Sequence, residues 1–345
     1  MQPIVYGFSG PELTPDERSF FADADPAGYI LFGRNCVDRR QLKALTDELR
    51  ALSGRDDLPI LIDQEGGRVQ RMREPEWPRL PAPGLFAGLY RRAPMTAIRA
   101  AELNAGAIAA MLREVGVNVD CLPLLDVPQP YTDEVIGDRA LGTEPIQVAA
   151  LGRAVLDGLE TGGVLGVVKH LPGYGHTRVD PHHALPVADV PEPALAMDLE
   201  PFIKLNRAPA GMTAHIVYPA WDAGHCATQS PTVIEKIVRG RIGFSGLLLT
   251  DDIVMEALSG SHAERAASVI AAGCDIALHC SGRLDEMIEA SGALGEITPR
   301  SRERLDRALA SIAGKAPAAS FAELAAERDA LIAGTEAGDN PVGAA

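Results

Sequence analysis

Short apolar or β-branched runs recur along the chain at residues 4–8, 29–32, 59–62, 117–125, 164–168, 211–216, 246–249 and 274–278. Most are separated by a stretch whose apolar residues repeat at helical spacing. In 39–50, Leu42, Leu45 and Leu49 fall on one face, and 97–115 reads as a second helix closed off by Gly116. The runs are nearly continuous in apolar character rather than alternating, as befits strands buried on both faces. Strand and helix in alternation imply a parallel sheet. A doubly wound open sheet shares that alternation, but eight runs match a closed barrel, and no G-x-G-x-x-G follows an early strand. The predicted fold is α/β: a single (β/α)8 TIM-type barrel over residues 1–335. Extra C-terminal helices follow about Ser281, and 336–345 is expected to be a flexible tail.

Composition narrows the function classes. Apolar residues make up 46% of the 345, enough for a large core, and 23% charged residues do not suit a disordered chain. A formal net charge of -15 argues against nucleic acid or an anionic membrane as partner, since both need a basic footprint. The amino terminus lacks a charged start followed by a long apolar run, and no stretch is long enough to span a bilayer. The five cysteines are odd in number and mostly far apart, without a C-x-x-C pair, which suits unpaired thiols in a reducing compartment. A cytoplasmic monomer without cofactor is expected.

In a barrel of this kind the chemistry sits where the strands end, so polar residues just after each run are the candidates. After the third run comes DQEGGRVQR, Asp63 to Arg71, whose Gly66 and Gly67 permit a tight turn. Asp126 and the stretch from Val135 to Arg139 follow the fourth. The fifth leads into KHLPGYGH, Lys169 to His176, then VDPHH, Val179 to His183. His215 ends the sixth, and Thr250, Asp251 and Asp252 the seventh. One charge after a strand would read as solvated. Charges after several strands are brought by the fold to one mouth, and four of the eight histidines lie between His170 and His183. Pro172, Gly173 and Gly175 suggest a loop of specified shape that carries Asp180 and His182 over that mouth. Of the adjacent aspartates, one should point into the mouth and the other to a neighbouring loop. For Asp252 a helix-capping or salt-bridging role is expected.

These residues resemble glycoside hydrolase family 3, specifically its single-domain bacterial β-N-acetylhexosaminidases of cell-wall recycling. The resemblance runs from GYILFGRN at residue 28 to AAGCD, which ends at residue 275, and beyond to about 280. It is carried by DQEGGRVQR, by KH-x-PG-x-G continuing to Asp180-x-His182, by TAHIVYP from Thr213, and by TDD-x-x-M from Thr250. It implies a β/α barrel that removes terminal β-linked N-acetylglucosamine from muropeptide fragments with retention. By the same resemblance Asp251 is the nucleophile and His182, paired with Asp180, the acid/base. Asp63, Arg71, Arg139, Lys169 and His170 would hold the sugar. The chain departs from the family pattern at Tyr174, where histidine or asparagine is common, and at Pro181, where a small hydroxyl residue is common. His183 beside His182 is a second candidate proton donor, although spacing from Asp180 favours His182.

An imidazole titrates near neutrality, and a carboxylate beside it favours its proton-donating form, so Asp180 and His182 suit acid/base work. Three rivals share the residues. A metal-dependent barrel hydrolase would use His170, His176, Asp180, His182 and His183 as ligands, but the chain lacks a His-x-His after the first strand and an H-E-x-x-H helix. A phosphorylase of the same family would turn over faster in phosphate. A non-catalytic sugar-binding barrel would turn over nothing.

Overall fold

The computed structural model describes residues 1–179 and 185–338. Eight parallel strands close into a barrel: Gln2–Tyr6, Pro26–Leu31, Ile60–Ile62, Val119–Asp120, Leu165–Leu171, Ala210–Thr213, Leu247–Asp252 and Ile276–His279. Each strand pairs with its sequence neighbours, and the first pairs with the eighth through Ile4 with Ala277 and Tyr6 with His279. The expected barrel is therefore present.

Two apolar layers follow from the two-residue period of a strand. Val5, Ile30, Leu61, Val119, Leu165, Val167, Met212, Leu249 and Leu278 fill the interior. Their chain neighbours Ile4, Tyr6, Tyr29, Leu31, Ile60, Ile62, Val168, Leu248 and Ala277 point outward into the helix layer. Burying each large side chain in either layer contributes about 1.5–3 kcal/mol. Helix Pro299–Ala310 seals the end where the strands begin: Leu305 and Leu309 join the interior, and Arg304 meets Asp275 at 2.8 Å. Helix Phe321–Gly338 lies along helix Pro94–Glu114, with Arg328 donating to Asn104 at 2.8 Å. Residues 339–345, most of the segment expected as a tail, lie outside the described residues.

Strand lengths differ from the apolar runs. The fourth run, 117–125, yields only two residues of ladder before Pro123, which has no N–H to donate; pairing with the fifth strand resumes as one bridge, Leu124 to Lys169. The fifth strand instead runs on through Lys169 and His170, so these two residues belong to the barrel wall and not to the loop after it. Among the described residues no helix is long and apolar enough to cross a membrane, and all five cysteines are free.

Candidate active site

Where the strands end, Asp63, Glu65, Arg71, Arg139, Lys169 and Asp251 line a cavity of about 320 Å³. A larger cavity, about 760 Å³, lies at the opposite end among Asp56, Asn118, Arg302 and Leu309, where barrels of this kind keep stability determinants rather than chemistry. The smaller one gathers the charges.

Lys169 is the hub. Its buried Nζ donates to Asp63 Oδ1 at 2.9 Å and lies 2.7 Å from Glu65 Oε1. Arg71 holds the other oxygen of Asp63 at 3.1 Å, and Arg139 grips Glu65 through two bonds of 2.8 Å. Burial raises the pKa of both carboxyls, but Lys169 with Arg71 holds Asp63 well below the usual range, and Lys169 with Arg139 holds Glu65 at about 2. Burial likewise lowers Lys169, and the two carboxylates more than offset it, so the ammonium stays charged. Gly66 and Gly67 make this arrangement reachable. Both take positive φ, 92° and 57°, and a Cβ on Gly66 would stand 2.2 Å from the Pro81 carbonyl oxygen.

Further along the fifth strand His170 is locked by Asp126, whose Oδ2 lies 2.8 Å from Nδ1 while Oδ1 accepts the backbone N–H groups of His170 and Tyr174. The glycine-rich loop then folds over Asp198, which sits 2.6 Å from His176 Nδ1 and raises the pKa of that imidazole. Gly173 and Gly175 allow the close approach, since a Cβ on either would stand within 2.6 Å of Asp198 atoms. The Tyr174 hydroxyl donates to the Val179 carbonyl at 2.6 Å. Asp180, Pro181, His182 and His183 come next and lie outside the described residues.

The aspartate pair ending the seventh strand divides as its alternation requires. Asp251 lines the cavity, and although burial raises its pKa, His170 and His215 bring it below the ordinary value, so it is ionised. Asp252 turns away, accepting the N–H of Val254 at 3.0 Å and of Cys280 at 3.1 Å. Burial pushes Asp252 up to about 6. It caps a turn and the eighth strand, in place of the helix cap or salt bridge expected. Both nitrogens of His215 are engaged, by Thr228 Oγ1 and the Asp252 carbonyl, each at 2.9 Å, and burial lowers its pKa. Beneath them Asp120 is fully buried; one oxygen accepts from Gln64 N, the other has no partner among the described residues, and burial pushes its pKa up to about 8.

Residues 9–313 match the Glycosyl hydrolase family 3 N terminal domain. The chain belongs to that family. A β-hexosaminidase of Bordetella avium is 35% identical over 322 residues, covering 90% of this chain and 89% of its own. One from Alkalilimnicola ehrlichii is 39% identical over 284 residues, 81% and 80% of the two chains. Among solved structures, NagZ of Neisseria gonorrhoeae in complex with N-trifluoroacetyl-D-glucosamine superposes with a TM-score of 0.85 at 32% identity, covering 96% of this chain and 98% of that one. The protein is a glycoside hydrolase.

In this family 3 hydrolase the structure brings Asp63, Arg71, Arg139, Lys169, His170 and Asp251 to one cavity. It does not bring His170 and His176 together as metal ligands, because each is committed to a different aspartate, Asp126 or Asp198. Sequence reading gave no role to Glu65, Asp120 or Asp126. Glu65 stands inside the DQEGGR run, but only its meeting with Arg139, 74 positions away, shows what it does.

Proposed function

We propose that this hydrolase is a retaining exo-β-N-acetylglucosaminidase in which Asp251 attacks the anomeric carbon and His182, oriented by Asp180, serves as acid and then base. The observation that carries the reading is an ionised Asp251 facing a cavity ringed by fixed hydrogen-bonding charges, in a chain whose relatives are β-hexosaminidases. The cations Arg71, Arg139 and Lys169 are matched by the carboxylates Asp63, Glu65 and Asp251, and Arg68, which also lines the cavity, pairs with Asp138 at 3.0 Å, so a neutral sugar enters a site already balanced in charge. Asp63 accepts from sugar hydroxyls and the two guanidinium groups donate. Asp126 takes the Nδ1 side of His170, which leaves Nε2 for the ligand. In the first step the bond from the anomeric carbon to the leaving oxygen breaks as that carbon bonds to Asp251, and His182 gives the oxygen a proton. Water then displaces Asp251, returning a proton to His182.

The substrate is a β-linked N-acetylglucosaminide at a non-reducing end, and a muropeptide fragment carries such a terminus. A panel of aryl glycosides differing in sugar and linkage tests this, together with release of N-acetylglucosamine from muropeptide fragments. The 2-acetamido β-glucoside should be cleaved best, and early product NMR should show retention. Preference for plain β-glucosides would overturn the substrate, and inversion would overturn the covalent step.

A further inference from the structure

The eighth strand ends in a histidine that the sugar site does not use. Ile276 and Leu278 point into the barrel and Ala277 toward the helices, so the alternation sends His279 outward too. There its ring lies 5.9 Å from that of Tyr6 and 5.3 Å from that of His262, centroid to centroid. His279 is fully buried, and neither ring nitrogen has a hydrogen-bond partner among the described residues. An imidazole carries a donor and an acceptor, or two donors, whatever its protonation, so leaving both nitrogens unpaired is costly. Its neighbours share the fault. His262 opens helix His262–Ala271 with Nδ1 unpartnered, and Glu286, in the first turn of helix Leu284–Gly292, leaves Oε2 unpartnered. One ring nitrogen from each histidine and a carboxylate oxygen of Glu286 all lie within 4.8 Å of one another.

We infer that His262, His279 and Glu286 form a binding site for a divalent transition-metal ion, with Zn²⁺ the best match. Two imidazoles and one carboxylate are a zinc donor set, and metal bonds of about 2.0–2.2 Å require these side chains to draw in by roughly 1 Å. His262 and Glu286 retain 21% and 18% side-chain exposure, which leaves an open side for the ion and for a water as fourth ligand. Arg283 Nε sits 3.0 Å from Glu286 Oε1, bracing one oxygen of the carboxylate while the other turns to the ion. The ion ties the starts of two helices to the outer face of the eighth strand. Its role is structural and distinct from glycoside cleavage, which takes place inside the mouth.

The test uses the full chain, stripped with a chelator and titrated with Co²⁺ while visible d–d absorption is followed, then with Zn²⁺ in competition. One equivalent should bind, and saturating Zn²⁺ should raise Tm by a few degrees. His262→Gln and Glu286→Gln, both at partly exposed positions, should each weaken affinity by more than the ten- to hundredfold that loss of an outer bracing partner costs. His279→Leu should abolish binding while melting no lower than the metal-free parent. The histidines at 182 and 183 are the other place an ion could land, so the double variant His182→Ala/His183→Ala serves as control and should keep the equivalent. The site is refuted if neither ion binds, or if binding survives the first three substitutions and disappears in the control.

Discussion

Lys169→Met tests whether the charge network holds both the mouth and Asp63, the carboxylate proposed to bind the sugar, in place. The substitution keeps a long unbranched side chain but removes the ammonium that meets Asp63 at 2.9 Å and Glu65 at 2.7 Å. Removing one partner from a buried ion pair costs about 3–5 kcal/mol. For 345 residues the unfolding entropy is about 0.7 kcal/mol/K, so Tm should fall by roughly 4–7 °C at neutral pH. The pH dependence carries a sign. In the parent, Asp63 and Glu65 have depressed pKa values, so their stabilisation is present above the unfolded values near ~4 and is lost only as pH falls below them. Without Lys169 each carboxylate keeps one arginine, Arg71 or Arg139, but both pKa values rise, and protonation then relieves the charge left uncompensated. The Tm gap between variant and parent should therefore be widest near neutrality and narrow as pH falls toward about 5. For turnover, loosening the charged hydrogen bonds that Asp63 offers should cost roughly 10- to 150-fold in kcat/KM. A Tm loss below about 1 °C, or a gap that does not change with pH, would refute the reasoning.

Asp251→Ala should fold normally and lose nearly all turnover, whereas Asp252→Ala should lower Tm by releasing the N–H groups of Val254 and Cys280; near-normal activity in Asp251→Ala would reverse the assignment. His182→Ala should lose about 10²- to 10⁴-fold in rate, less on aryl substrates with good leaving groups, and Asp180→Ala should resemble it. If His183→Ala shows that leaving-group-dependent loss while His182→Ala stays active, the proton belongs to His183. Asp120 has a raised folded pKa of about 8, so its carboxyl weighs against folding increasingly as pH rises from ~4 toward that value. Asp120→Asn keeps the shape without the charge and should flatten the Tm profile between pH 5 and 8; an unchanged slope would mean that Asp120 is ionised throughout.

The alternation of apolar runs with helical stretches determined a parallel α/β sheet by itself, because strand and helix periods are local; the count of eight runs, with no G-x-G-x-x-G after an early strand, then favoured a closed barrel over an open sheet. The place of each run also determined which residues face the mouth, since chemistry in such a barrel collects where strands end. Hence Asp63, Arg139, Lys169 and the pair Asp251 and Asp252 could be named from the chain alone, while the resemblance to family 3 singled out Asp251. What each one touches could not. Lys169 meets Asp63 across 106 positions, and Arg139 meets Glu65 across 74; neither separation leaves a mark in local pattern. Protonation likewise belongs to the folded molecule. Asp63 and Asp120 are the same residue type near one cavity, yet two cations hold the first ionised while burial without a cation bonded to it drives the second up. The direction of His279 was implicit in strand parity, but its bare nitrogens emerge only when the helices bearing His262 and Glu286 close over it. Period and spacing act within a few residues. Charge pairing and desolvation act through space, and only the closed barrel determines which groups share it.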